Sequence, residues 1–320
     1  MHVRVQTQPQ LSPIAEDVFQ GLTSSPKTLS PKLFYDAAGS ELFERITDLH
    51  EYYPTATERE ILRKNARDMV VEAAGCTAVV ELGAGSAAKT VLLLDALLKS
   101  TDEPVTFYPV DVSAAALDFC SDRMHHMLPS IRVVPKVLDF TQAMPQFRQL
   151  PGRKLFLFIG SSIGNFEPLE AGLFLKKIRA SMNPGDALLL GTDMRKSRDI
   201  LVPAYDDSEG VTAAFNKNLL TRMNRELGGN FDLDSFAHRI VWNDSLSRIE
   251  MHLESLRAQS VNIDALGLTV KFAKGETIHT ENSYKFTMPM LGAIAENGGL
   301  HIERTWSDPK RWFTVHLLRA

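Results

Sequence analysis

The residues best equipped for chemistry begin with a carboxylate and two glycines. Val79-Val-Glu-Leu-Gly-Ala-Gly-Ser-Ala-Ala-Lys-Thr90 carries a buried-strand pattern straight into a glycine turn. Gly83 and Gly85 permit a tight turn and a close backbone approach, as α/β proteins use to cradle a nucleotide. Taken alone, Gly-Ala-Gly-Ser-Ala-Ala also fits the loose dinucleotide pattern. Three acids narrow the choice. Glu81, two residues before the first glycine, suits a cationic amino-acid group and would repel a pyrophosphate. Asp111, ending the apolar stretch Val105-Thr-Phe-Tyr-Pro-Val110, is placed to accept both ribose hydroxyls. Asp139 and Phe140, after the next strand, are placed to bracket an adenine. Singly, each acid also fits a helix cap. Together in register they point to S-adenosylmethionine rather than NAD.

The elements that must hold these residues alternate. A helix is expected from a capping box at Thr55 and Glu58 to about residue 74. Strands are expected at 77–82, 105–110, 131–136, 154–159 and 187–190, with helices at 86–98, 113–126 and 168–181. Continuous apolar strands between helices predict a parallel sheet covered on both faces. The tail predicts a helix at 288–297 and two further strands, the last over 312–318. Such a closing antiparallel hairpin completes the sheet of S-adenosylmethionine-dependent methyltransferases, whereas a dinucleotide domain ends in parallel strands. Residues 197–284 break the pattern, with a helix at 211–227 and alternating stretches at 236–243, 247–259, 267–273 and 276–286. The expected fold is α/β: a Rossmann-like class I methyltransferase domain over 56–196 and 285–320. A second, α+β substrate-binding lobe is expected from 1–55 and 197–284, with the substrate in the cleft between.

Composition excludes several classes. At 320 residues the chain supports one large domain or two moderate ones. A net charge of −4 without a Lys/Arg-rich run argues against a nucleic-acid partner. Cys76 and Cys120 offer neither a disulfide framework nor zinc-ligand spacing, so no metal is expected and a reducing compartment fits. Residues 1–20 are polar and lack an apolar signal core. No run approaches the ~18 apolar residues of a membrane span. A cytoplasmic monomer acting on a small molecule, with no membrane partner, is the expectation.

The chain resembles the L-histidine Nα-methyltransferases of ergothioneine biosynthesis along nearly its whole length. The resemblance is carried by Pro26-Lys-Thr-Leu-Ser-Pro-Lys-Leu-Phe-Tyr-Asp36, Glu51-Tyr-Tyr-Pro-Thr55, Glu81-Leu-Gly-Ala-Gly85 and Phe158-Ile-Gly-Ser-Ser-Ile-Gly-Asn165. Gly191-Thr-Asp193, Ala204-Tyr-Asp-Asp207, Gly210-Val-Thr-Ala-Ala-Phe-Asn216, Ile249-Glu-Met251 and Thr280-Glu-Asn-Ser-Tyr-Lys-Phe286 extend it. It implies a two-lobed enzyme that uses S-adenosylmethionine to make trimethylhistidine, known as hercynine.

Carried over by motif position, the donor site comprises Gly83, Lys89, Asp111, Asp139 and Phe140. Lys89, read as one turn into a helix, would meet the donor's carboxylate; as a single residue it also fits a solvated helix surface. The histidine site comprises Tyr52, Asn165, Tyr205, Met251, Glu281 and Ser283, with Tyr52 and Asn165 orienting the amine. Phe43 and Tyr35 are further pocket candidates. Strict alternation over 276–286 puts Ile278, Thr280, Asn282, Tyr284 and Phe286 on one face, with Glu281, Ser283 and His279 on the other. Glu281 and Ser283 then lie ~7 Å apart along the strand. There they could address an imidazole, the carboxylate taking its N–H. A solvated strand face is the plainer alternative. Rival functions are methylation of another amino-acid amine, such as a tryptophan-like one, an NAD-dependent oxidoreductase, and a binding module without turnover.

Overall fold

Runs such as Leu155-Phe-Leu-Phe158 and Ala187-Leu-Leu-Leu190 have no polar face to offer water, so they must lie in a sheet covered on both sides. A computed structural model, which describes residues 13–141 and 144–320, shows that arrangement. The polar N-terminal stretch read above lies outside the described residues as far as residue 12. Along the chain the first strands are β1 (Lys27–Thr28), β2 (Cys76–Leu82), β3 (Thr106–Asp111), β4 (Arg132–Val133), β5 (Lys136–Val137), β6 (Arg153–Phe158) and β7 (Ala187–Asp193). Then come β8 (Phe236–Asn243), β9 (Arg248–Ser255), β10 (Gln259–Ile263), β11 (Leu268–Phe272), β12 (Thr277–Tyr284), β13 (His301–Ser307) and β14 (Phe313–Arg319).

The central sheet has the order β13-β14-β7-β6-β2-β3-β4, and β5 also pairs with β3. From β7 to β5 its pairings are parallel. β14 runs antiparallel to both of its neighbours, β7 and β13. That reversed strand is the closing hairpin expected from the tail. One face carries the helices Tyr53–Glu72, Thr90–Leu98 and Ala114–Met127 over a core including Leu62, Met69, Leu94 and Met124. The other carries Pro168–Ser181 and Met288–Asn297, with Phe174, Leu175, Leu291 and Ile294. The fold is a Rossmann-like α/β fold with the expected closing hairpin.

A second sheet, β1-β12-β9-β8, stands beside it, with β10 and β11 as a separate antiparallel pair. The helices Pro13–Thr23, Ala37–Asp48 and Val211–Leu227 share a core with it that includes Val18, Ile46, Phe34, Phe215, Phe236 and Leu253.

Several expected boundaries move. The helix expected from residue 86 starts at Thr90, because Gly83, Gly85 and Ala87 all take positive φ and the chain is still turning. Lys89 therefore precedes the helix rather than lying one turn into it. No capping box forms at Thr55: the helix already begins at Tyr53, with Pro54 in its first turn, and Glu58 is buried inside it. The stretch 131–136 is reduced to β4 and β5, since Pro135 has no N–H with which to continue a ladder. The stretch 247–259 breaks after Ser255, whose hydroxyl donates to the Arg257 carbonyl at 2.8 Å and turns the chain.

Candidate active site

The glycine turn after β2 closes against the end of β3. Gly83 and Ala84 donate to the Val110 carbonyl at 2.8 and 3.1 Å, and Gly85 donates to Asp111 Oδ2 at 3.0 Å. Asp111 Oδ1 accepts from Ser113 N at 3.0 Å. Burial pushes the Asp111 carboxyl up, against three backbone N–H groups that favour its charge. A side chain at Gly83 would begin 3.5 Å from the Phe140 ring, at a φ of 71°. Asp139 accepts from Thr141 N at 2.9 Å, which fixes the carboxylate beside Phe140.

Glu81 is buried beneath this turn. Its Oε1 accepts from the Thr90 hydroxyl at 2.6 Å, while the buried Oε2 has no hydrogen-bond partner among the described residues. Burial pushes its pKa up to about 8. A buried acceptor without a donor is a poor structural group and a good reader of a ligand's ammonium. The open turn, the ring over it and this carboxylate fit a nucleoside with an amino-acid tail. Lys89 is not a solvated surface residue, because its ammonium pairs with buried Glu58. Glu58 also accepts from Gly160 N at 2.9 Å, tying the glycine turn to the loop after β6.

That loop brings the second half of the site into place. Gly160 and Ser161 take positive φ, and the chain then forms a short 3-10 helix, Ser162–Asn165. A Cβ on Gly164 would stand 3.0 Å from the Tyr284 carbonyl, so glycine lets this helix press against β12 without displacing the strand. Asn165 consequently donates to Glu281 Oε1 at 2.9 Å and to the Asn282 carbonyl at 2.8 Å. Both amide protons are then used, and the amide oxygen remains as an acceptor.

β12 corrects the expected alternation. His279 pairs with His252 and Glu281 with Met251, so Thr280 is an extra, bulged residue. The Thr280 hydroxyl donates to Asn216 Oδ1 at 2.8 Å, pinning the bulge to the helix Val211–Leu227. The face therefore switches once. Ile278, Glu281 and Ser283 turn inward with Met251, while His279 and Asn282 turn outward. His279 does not share the Glu281 face as strict alternation predicted; its ring stacks on His252 at 4.9 Å.

Tyr35, Phe43, Tyr52, Asn165, Tyr205, Met251, Glu281 and Ser283 line one cleft, together with Asp193 and Phe215. Every histidine-site residue expected from the sequence is thus gathered there. Tyr52 and Tyr205 meet edge-on at 6.2 Å, and Phe43 meets Tyr52 at 6.4 Å. Burial holds the phenols of Tyr35, Tyr52 and Tyr205 well above their usual range, so all three stay neutral. Glu281 keeps some surface open to the cleft. Burial raises its pKa to about 7, against the Asn165 hydrogen bond and the Lys285 charge.

Behind this wall lies a charged cluster that carried no role in the sequence reading. Asp193 ends β7 at the carboxyl edge of the sheet and binds Lys285 at 2.8 Å, Lys196, and the Tyr53 hydroxyl at 2.6 Å. Lys285 also reaches the Tyr205 and Ser283 hydroxyls. The available signal was an acid closing a continuous apolar strand, as at Asp111. Glu58 was read as a cap and missed as a buried partner of Lys89.

A family model described as histidine-specific methyltransferase, SAM-dependent, matches residues 14–320. The chain is 44% identical over 304 residues to the histidine N-alpha-methyltransferase of Mycolicibacterium smegmatis, covering 95% of this chain and 94% of that one. It is 30% identical over 281 residues to ergothioneine biosynthesis protein 1 of Schizosaccharomyces pombe, covering 84% of this chain and 36% of that longer protein. Among solved structures, the CcbJ methyltransferase of Streptomyces caelestis aligns with a TM-score of 0.49 at 15% identity, over 81% of this chain and 95% of its own. The chain belongs to the histidine-specific, S-adenosylmethionine-dependent methyltransferase family.

Proposed function

We propose that the protein transfers three methyl groups from S-adenosylmethionine to the α-amine of L-histidine. The product is Nα,Nα,Nα-trimethylhistidine (hercynine), at the first step of ergothioneine biosynthesis. In this reading 56–196 and 285–320 bind the donor, 1–55 and 197–284 form the substrate lobe, and the enzyme works as a cytoplasmic monomer. The observation that carries it is the convergence of Glu281, Asn165 and the Tyr205–Ser283 hydroxyls on one aromatic-walled cleft. The cluster answers an N–H, an amine and a ring nitrogen in one small space. The 44% identical Mycolicibacterium smegmatis enzyme, a histidine N-alpha-methyltransferase over nearly equal length, supports the substrate. The Schizosaccharomyces pombe relative supports the pathway by its name.

The donor supplies an electrophilic methyl group on a sulfonium. The chain's own work is to hold a neutral amine in line with it, and such orientation contributes about 7–11 kcal/mol toward the barrier. The Asn165 oxygen accepts a hydrogen bond from the amine N–H and so sets the direction of the nitrogen lone pair. The substrate's ammonium must first release a proton to water, directly or through the neutral Tyr52 hydroxyl, which hands its own proton to water as it takes one. The rings of Tyr52, Tyr35 and Phe43 then tolerate the growing cation through their faces. Gly83, Lys89, Asp111, Asp139 and Phe140 hold the donor.

Incubation with labelled S-adenosylmethionine and a panel of amino acids, resolved by mass, tests this. Stepwise appearance of mono-, di- and trimethylated histidine is expected. Methylation of tryptophan with histidine untouched would overturn the reading. A second measurement addresses the donor site. Asp111→Ala removes a charged acceptor whose hydrogen bonds contribute about 1.5–3 kcal/mol each. Donor affinity by calorimetry should fall at least about tenfold; unchanged affinity would refute the ribose role.

A further inference from the structure

Lys285, Tyr205 and Ser283 together leave one hydroxyl proton unclaimed. Lys285 is fully buried. Its ammonium lies 2.7 Å from the Tyr205 hydroxyl, 2.8 Å from Ser283 Oγ and 2.8 Å from Asp193 Oδ2. An ammonium has three donors and no acceptor, so all three are used. Tyr205 and Ser283 also bond one another at 2.7 Å, which uses one of their two hydroxyl protons. Each oxygen therefore accepts from Lys285, one accepts from its neighbour, and a single O–H remains to face the cleft. On the oxygen that keeps the free O–H both lone pairs are filled from behind, so that O–H cannot turn inward, and one lone pair stays open on its neighbour. The pair is a donor to whatever binds.

We propose that Lys285 is the positioning residue that commits the Tyr205–Ser283 pair to donating into the cleft, so that the site selects a neutral azole ring. This rests on the histidine reading above. Glu281, on the same inward face two residues away, has one oxygen engaged by Asn165 and the other left to accept. One acceptor and one donor side by side match a ring bearing one N–H and one bare nitrogen. An imidazolium would bring a second N–H against an O–H backed by a buried ammonium. A ring with C–H in place of the bare nitrogen would leave a buried donor unpaired, which a site built on hydrogen bonds rejects strongly.

Charged and titratable groups surround this arrangement from several elements. Lys285 faces Asp193 and Tyr205, with Lys196 and Tyr53 completing the cluster on Asp193. Glu281 faces Asn165, Lys285 and the phenols of Tyr35, Tyr52 and Tyr205. Lys285 holds the Glu281 carboxyl lower than burial alone would. In Lys285→Met, Asp193 retains Lys196 as its counter-charge, so no buried carboxylate is orphaned. The hydroxyls regain vacant lone pairs and can satisfy each other.

The test compares histidine with its two pyrrole analogues, in which one ring nitrogen or the other is replaced by C–H. In wild type at pH 8.5, kcat/KM for histidine should exceed that for both analogues by about a hundredfold or more. In Lys285→Met that preference should shrink at least about tenfold. The acid limb of kcat/KM for histidine should also move up by about half a pH unit or more, as Glu281 loses a stabilising charge. Unaltered donor binding by calorimetry certifies the fold. An unchanged preference and an unchanged acid limb in a folded variant overturn the proposal. If the variant does not fold, wild type alone decides: a pyrrole analogue used as well as histidine overturns it. If wild type methylates no histidine at all, the proposed function fails instead.

Discussion

Glu281→Ala is expected to lower kcat/KM for histidine by about tenfold to a hundredfold, measured at pH 8.5. A hydrogen bond to a charged group contributes about 1.5–3 kcal/mol, and each 1.36 kcal/mol is a factor of ten. The pH matters because burial places the Glu281 carboxyl at about 7, so the accepting carboxylate prevails only above that. In wild type, activity should decline as pH falls through this value. Substitution also releases Asn165, one of whose amide protons Glu281 accepts at 2.9 Å. Tryptophan should gain relative to histidine, since a buried carboxylate no longer meets a ring unable to satisfy it. If the histidine-to-tryptophan ratio stays put, Glu281 is not reading the ring.

The second large effect is on stability. Asp193→Ala is expected to destabilise the protein by about 3–5 kcal/mol, as breaking a buried ion pair leaves its partner uncompensated. Here two ammoniums, Lys196 and Lys285, would lose their shared anion. Burial alone would raise the Asp193 carboxyl, but the two lysines outweigh it and hold it below the usual carboxylate range. A depressed folded pKa contributes stability in full above the unfolded value of about 3.9, and the contribution is lost only as pH falls through the lower folded value. The carboxyl's own contribution to the difference between variant and wild type should therefore be flat from pH 5 to 7, below the range in which Lys196 loses its charge. Urea unfolding gives both quantities. A loss under about 1 kcal/mol would show that the cluster does not hold the sheets together. Lys196, with its pKa lowered by burial to about 8, should be the first member to lose its charge as pH rises.

Legibility in the sequence followed the range of the interaction. The helices 168–181, 211–227 and 288–297 and the strand 236–243 match their expected spans, because apolar spacing and local breakers set them. The glycine turn and Asp111 were legible for the same reason: a buried strand, a positive-φ glycine and an acid lie within a few residues or at equivalent strand ends. Where reading failed, a distant partner decided. Glu58 looked like half of a capping box, but it serves Lys89 and Gly160, 31 and 102 residues away in sequence.

Residue types and short-range spacing by themselves determined the α/β class, the closing hairpin and the donor-type turn, while the side chains expected to read an amine and an imidazole came from the family resemblance carried by the motifs. Tertiary structure alone decided which of those side chains point at one another. The bulge at Thr280 reverses the face of everything before it, and Asn216, on another element, ties it down by accepting the Thr280 hydroxyl. Side-chain period in a strand is two, so one extra residue is enough to send His279 out and leave Glu281 in. Lys285 likewise reads as a polar interruption near the end of a strand. It becomes a source of direction only when Asp193, Tyr205 and Ser283 surround it and use every proton it has.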